Sequence, residues 1–458
     1  MTQTAPAIPA DGQSLSRSLK PRHVTMITIG GIIGAGLFVG SSVAIAAAGP
    51  AIIISYALTG TLVLLIMRAL GEMAVEMPQV RSFTEFARAG LGNWAGFSVG
   101  WLYWYFWIIV IPVEAIAGAN ILQDWLPLPP LAIGFGLMAL MTGVNLMSAR
   151  AYGEFEFWFA SIKVAAILVF ILLGASYVLG YSSPSGPTWA NLTGHGGFMP
   201  FGPKSVLAGV ITVFFSLTGA EITMIAAAES AQPSRAVAQM GNAVIGRILI
   251  FYVVSIFLIV AAVPWTLVRS GESPFALVLT QMNFAWVGLA MKVIILTAVL
   301  SCLNSAFYVC SRVMFMLAAH RDAPQALVVL NARGVPVRSV LLGTVAGLLG
   351  IFAQQLSPDR VFAFLVNASG ALIVFIYMAI ALSQIRLRQR RERTGGPAPP
   401  ILMWGFPLLS YLAIGALLAV LAAMALTDAH EAEFWISLLT LGTAIGAYFL
   451  VSRLRAPG

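Results

Sequence analysis

Charge is scarce in this chain: Asp, Glu, Lys and Arg make up 9% of its 458 residues, where a soluble domain carries about 25%. That shortage excludes an ordinary soluble domain and leaves an integral membrane protein. Cysteine is nearly absent. Cys302 and Cys310 lie eight apart on one expected helix, which at about 1.5 Å per residue separates them by roughly 12 Å, too far for a disulfide. They therefore carry no information on redox compartment. The four histidines, His23, His195, His320 and His430, fall in terminal or loop segments, which argues against a histidine proton relay. No cluster of His, Cys and acids at metal-ligand spacing, no serine elbow and no phosphate-binding loop occurs. Neither an enzyme nor a bound cofactor or metal is expected. Residues 1–16 also lack a charged-then-apolar signal pattern, so the first span is expected to remain as the anchor.

What the chain has instead is long apolar runs, with 59% hydrophobic residues. A helix crosses a bilayer with about 20 apolar residues. The runs place about twelve spans at 23–47, 51–77, 92–124, 130–149, 154–180, 204–230, 241–265, 285–316, 338–357, 361–384, 404–426 and 433–452. Gly and Pro punctuate most joints, as at Gly49-Pro50, Pro127–Pro130, Pro336 and Pro358. Residues 1–22 form an N-terminal segment, 181–203 an exposed cap, 385–403 a basic loop and 453–458 a tail.

The basic residues fix an expected orientation. Arg17, Lys20 and Arg22 precede the first span, and Arg81, Arg88, Arg150, Arg235, Arg321, Arg333 and Arg338 follow even-numbered ones. The run Arg386, Arg388, Arg390, Arg391 and Arg393 is the densest, while the opposite loops offer only Lys204, Arg269 and Arg360. Cytoplasmic loops hold the excess of Lys and Arg, so both termini are expected in the cytoplasm. The net charge of +8 is thus an orientation signal. Its scatter over many loops argues against a nucleic-acid partner.

Two interruptions mark the interior. Ile33-Gly34-Ala35-Gly36 sits in the glycine cluster of the first span, and Ser216-Leu217-Thr218-Gly219-Ala220-Glu221 breaks the sixth. Unwound backbone in a bilayer needs a partner other than water, and paired broken helices in two halves of a chain point to a transporter's substrate site. The reading is a secondary transporter with a small-molecule substrate.

Charges at membrane depth are costly and mark function by default. Lys163 lies about ten residues into span five among apolar neighbours. It is expected to carry a proton or to stand where a coupling cation would, the alternative being a fixed counter-charge for an inner-gate glutamate. Glu221 follows the second break, and Glu229, eight residues on, fits an inner gate. Glu114, beside Pro112, is assigned either to the site or to a structural bond with a neighbouring helix. Arg68 and Glu72, four apart, are expected to pair at a helix end, and Arg247 and Arg312 to snorkel. In the aromatic run Trp101–Trp107, Tyr103 and Trp107 fall near mid-depth and are expected to roof a pocket with Phe214 and Phe215.

Arg22-His23-Val24-Thr25-Met26, Val39-Gly40-Ser41-Ser42-Val43-Ala44-Ile45-Ala46, Gly100-Trp101-Leu102-Tyr103-Trp104 and Tyr152-Gly153-Glu154-Phe155-Glu156-Phe157-Trp158 resemble the bacterial amino acid permeases of the APC superfamily. Ser301-Cys302-Leu303-Asn304-Ser305-Ala306 and Ser369-Gly370-Ala371 look most like the 4-aminobutyrate (GABA) permeases among them. The resemblance covers about residues 15–455. It implies an all-α leucine-transporter-like fold, with spans one to five (23–180) and six to ten (204–384) as an inverted repeat and two further helices in 404–452. It also implies proton-coupled uptake across the bacterial inner membrane, with no sodium site.

Carried over residue by residue, the resemblance places the substrate carboxylate on the backbone of Ile33, Gly34, Ala35 and Gly36. Ala35 departs from the Thr or Ser more usual in the family, as in GABA-type members. Phe215 matches an aromatic gate, Glu221 the acid after the break, and Lys163 the lysine that replaces a sodium ion. Tyr103, Ser216, Leu217 and Asn304 complete the expected binding set, with the carbonyls near Phe215–Leu217 as amine acceptors. The expected activity is proton-coupled uptake of GABA or a related ω-amino acid. The alternatives are a permease for basic, aromatic or small α-amino acids, an exchanger, or a transporter-like sensor. A sensor is expected to carry a long cytoplasmic extension, and a channel a continuous polar stripe; neither is found.

Overall fold

The computed structural model describes residues 33–77, 80, 82–147, 149–183, 185–219, 221–222, 248–282, 285–427 and 431–455, and among them no strand occurs. A π-helical turn, Gly36–Gly40, leads into α1 (Ser41–Ala48), and the chain breaks at Gly49 before α2 (Ile52–Glu76). Then come α3 (Phe83–Leu91), α4 (Asn93–Leu122), α5 (Pro130–Asn145), α6 (Ala149–Val178) and α7 (Pro203–Leu217). The second half holds α8 (Ser255–Ala262), α9 (Pro274–Gln281), α10 (Ala285–Ala319), α11 (Val337–Leu356), α12 (Pro358–Arg393), α13 (Leu408–Ala425) and α14 (Glu431–Arg455).

Among the described residues, eight stretches are long and apolar enough to cross a membrane, one of them the broken Gly36–Glu76, and three shorter apolar helices accompany them. Helices that are apolar all round belong in a core or in lipid. Both kinds occur here. The apolar window of α4 is 78% buried and that of α14 only 11%, and the outward residues of α14 include Trp435, Leu439, Phe449 and Leu450. α4 packs against α10, α11 and α12, and α7 against α1, α2 and α12. The core is therefore built on α4, α7 and α10, with α6, α11, α13 and α14 more exposed around it.

Two short helices, α3 and α9, lie outside the expected spans. α3 is capped by Ser82, whose Oγ accepts the Thr84 amide, and carries Glu85 in its first turn and Arg88 in its last, in line with the helix dipole. The basic run expected as a loop over 385–403 instead continues α12 to Arg393. Cations are favoured at a helix C-terminus. Arg388 also pairs with Glu392 one turn on, and Arg391 reaches Glu72 and Glu76 of α2.

That last contact replaces the expected Arg68–Glu72 pair. Glu72 is buried and accepts from Gln384, Arg391 and the Met403 amide. Arg68 turns to the Leu402 carbonyl at 2.8 Å and lies over the Trp404 ring. A buried carboxylate needs several donors, and α12 with its following loop supplies more than one neighbour on the same helix can. Arg312 does not snorkel either. It is buried, with its guanidinium 4.2 Å from the Tyr308 ring centroid. Arg247 lies outside the described residues. Both cysteines are free and buried, as their spacing required.

Candidate functional site

The two breaks meet. At the first, Ile33 and Gly34 form a bend and the Leu37 and Phe38 amides both donate to the Gly34 carbonyl, at 3.2 and 3.3 Å. The opening amides of a helix have no intrahelical partner. One of them, on Ala35, donates to both oxygens of Glu114 at 3.1 and 3.3 Å. Glu114 on α4 thus fills the structural role weighed for it, and it also lines the central cavity. At the second break, α7 ends at Leu217, Thr218 is extended, and Gly219 takes φ 127°, a conformation other residues rarely adopt. The Gly219 amide donates to both oxygens of Glu221 at 3.2 Å.

Between the breaks the backbones touch. Ser216 Oγ donates to the Gly36 carbonyl at 2.6 Å, and a Cβ on Gly36 would stand 2.7 Å from Ser216 Cα. The Phe215 ring lies against the same turn. A cavity of about 20 Å³ opens here, lined by Gly34, Gly36, Phe106, Trp107, Val110, Glu114, Phe215, Ser216, Thr218 and Cys302. A water needs roughly 10–15 Å³ measured this way, so an amino acid enters only if the lining side chains move apart.

Of the expected substrate residues, Gly34, Gly36, Phe215 and Ser216 come together around this cavity, with Trp107 beside them. Ile33, Ala35 and Leu217 are buried behind its wall. Ala35 has already given its amide to Glu114. Tyr103 and Glu221 form a layer of their own, in which Glu221 accepts from Tyr103 and Tyr377 hydroxyls at 3.2 and 3.3 Å. Asn304 faces away from the cavity, accepting from Asn145 of α5 at 2.7 Å. Its place on the wall is taken by Cys302, two residues earlier and about 200° round the helix. Sequence reasoning misses Phe106, Val110, Thr218 and Cys302. The first two share one face of α4 with Glu114 at helical spacing, and that spacing is the available signal. Glu229 lies outside the described residues.

Lys163 is fully buried, with Nζ 3.6 Å from Glu156 Oε1 two turns earlier on α6. Glu156 in turn accepts a hydrogen bond from Ser301 Oγ of α10. Cys302, next along, sits where a Cβ on Gly34 would collide with it, and Lys163 is within electrostatic reach of both Cys302 and Glu114. A polar chain therefore runs from the first break through α4 and α10 to the lysine, all of it buried.

Comparison with known proteins agrees with this geometry. The family model "Amino acid permease" matches residues 23–453. The chain belongs to the amino acid permease family. It is 44% identical to the gamma-aminobutyric acid permease of Bacillus subtilis (strain 168), over 96% of this chain and 94% of that one. It is likewise 44% identical to that of Escherichia coli (strain K12), over 92% and 90%. The aromatic amino acid transport protein AroP of Corynebacterium glutamicum is 38% identical over 91% of each. The solved structure of the Eremococcus coleocola manganese transporter mutant H236A superposes with a TM-score of 0.61 at 12% identity, over 94% of this chain and 93% of that one. This last likeness establishes the leucine-transporter-like helical fold. The chain is a multi-pass membrane transporter and not an enzyme.

For this permease, Glu114 gives a first test. Glu114→Leu leaves the buried Ala35 amide without its carboxylate acceptor at a cost of about 1–3 kcal/mol, so the detergent-solubilised variant should unfold at a lower temperature. Glu114→Gln keeps a carbonyl acceptor and should recover most of that loss. Equal melting temperatures for the leucine and glutamine variants would show that the Ala35–Glu114 bond does not hold the break.

Proposed function

We propose that this permease takes up a small zwitterionic amino acid, GABA or a related ω-amino acid, by proton-coupled alternating access across the bacterial inner membrane, with both termini cytoplasmic. The observation that carries the reading is the meeting of the two interrupted helices at Gly36 and Ser216 over a cavity closed by Phe215 and Trp107. The substrate carboxylate lies against the backbone amides at Gly34 and Gly36, where a helix N-terminus favours an anion. Its amine meets the carbonyls at the end of α7. With Glu221 occupied by two tyrosines and Gly219, its role is to brace the second break below the substrate. The repeats 23–180 and 204–384 rock about this point. Lys163 loses and regains its proton between Glu156 and the first break, which loosens and restores the link between them. Protons are then the coupling ion, and no sodium site or cofactor takes part.

A permease for aromatic α-amino acids is the second reading, favoured by the AroP relative and by the rings of Phe106, Trp107 and Phe215. Isothermal titration of the purified permease separates the two. GABA is expected to bind and to be displaced by other short ω-amino acids, with no heat from lysine, phenylalanine or proline. Phenylalanine binding with no competition from GABA would reverse that order and leave the family assignment standing.

A further inference from the structure

A second, much larger cavity shares no lining residue with the central one. This groove of about 810 Å³ runs between α4 and α14, floored by Trp101, Trp104, Leu439, Ala444 and Ala447. Phe97 and Tyr448 flank the end nearest residues 321–324, with ring centroids 5.7 Å apart. Along α14 it extends from Ile436 to Val451, roughly 22 Å at about 1.5 Å per residue, which exceeds the roughly 15 Å depth of one leaflet of a 30 Å hydrocarbon core. Its mouth is formed by residues 321–324, just past the end of α10 and so at the level of the lipid headgroups.

The charge at that mouth is one-sided. Asp322 is buried and paired with Arg88, and His320 sits against Glu85. Arg321 is exposed and lines the groove. It is the only non-glycine residue with positive φ among those described, at 62°. The conformation belongs to the cap that ends α10: the Arg321 amide donates to the Ala318 carbonyl and the Asp322 amide to the Leu317 carbonyl, which fixes where the Arg321 side chain leaves the helix end.

We propose that this groove binds one anionic glycerophospholipid, with an acyl chain along α14 and the phosphate on Arg321. The lining suits a hydrocarbon chain, and the guanidinium suits a phosphate, which it contacts through a planar fork of donors. A second copy of the chain is a poorer occupant. Glu72, Glu76, Glu85, Asp322 and Glu392 are each already paired with an arginine, so these five acids of a second copy offer Arg321 little counter-charge.

The test is native mass spectrometry of the delipidated full-length permease titrated with phosphatidylglycerol or phosphatidylcholine. Wild type is expected to keep one phosphatidylglycerol with about fivefold preference, the worth of a single arginine at an anionic headgroup. Arg321→Gln should bind the two lipids equally, and Ala447→Trp, which obstructs the groove midway along α14, should weaken retention of both. An unchanged preference in Arg321→Gln overturns the proposal. So does a lipid-free dimer that Ala447→Trp dissociates. Arg321 is exposed, so its glutamine variant should fold and carry the test if the tryptophan variant does not.

Discussion

Gly36→Ala is expected to cut substrate uptake by about 100-fold or more, the scale of loss that follows when a reacting or binding geometry is displaced by about an ångström. The new Cβ would stand 2.7 Å from Ser216 Cα and 3.3 Å from Phe215 Cδ1. The nearer atom is backbone, so no rotamer change relieves the contact, and the two breaks must separate. Separation removes the hydrogen bond from Ser216 to the Gly36 carbonyl and displaces the amides that face the substrate. Gly40→Ala is the matched control. Its Cβ would meet its nearest neighbours, the Ala35 carbonyl oxygen and the Phe215 ring, at 3.5–3.6 Å, which is ordinary packing. Uptake by Gly40→Ala should stay near wild type. Equal activity in the two variants, at equal membrane expression, would separate the glycine contact from transport.

Lys163→Met is expected to abolish accumulation against a gradient. Removing one member of a buried ion pair strands the other, at a cost of about 3–5 kcal/mol. In this variant the stranded group is Glu156, held between the lost ammonium and Ser301. Lost transport alone would therefore be open to the objection that the variant misfolds. The double variant Lys163→Met, Glu156→Gln answers it. With neither member of the pair present no partner is stranded at this position, the introduced amide still accepts from Ser301, and the melting temperature should return most of the way. Coupling should not return, because the proposed proton carrier is gone and Glu114, already bound to the Ala35 amide, cannot supply the positive charge of the bridge. Lys163→Arg should also fail, since an arginine keeps its proton at any physiological pH and holds the bridge shut. If the stable double variant accumulated substrate under a proton gradient as wild type does, Lys163 would have no part in coupling.

Much of the fold is legible in the residues, because a bilayer leaves few options: apolar runs of sufficient length separated by Gly and Pro must be spans. What is not legible lies outside the hydrocarbon. α3 and α9 are too short to give a span signal. The extension of α12 depends on Glu72 and Glu76, which stand more than 300 residues away in sequence.

The site divides in the same way. Gly34, Gly36, Phe215 and Ser216 announce themselves by breaking apolar helices, since glycines and hydroxyls at membrane depth need a reason. Ala35, by contrast, gives no local hint that its amide is taken by Glu114. Polarity favours Asn304 over Cys302 as a site residue, but helical geometry turns the asparagine towards Asn145. The partner of Lys163 is within reach of inspection. Glu156 lies seven residues earlier, two turns away on the same face.

The measurement that bears most directly on this account is uptake of labelled GABA into proteoliposomes of the purified permease under imposed ion gradients. An alkaline interior without sodium should drive accumulation above the external concentration, and collapse of the pH gradient should release it. Accumulation that requires a sodium gradient, or a pH-driven signal for other amino acids but none for GABA, would contradict it.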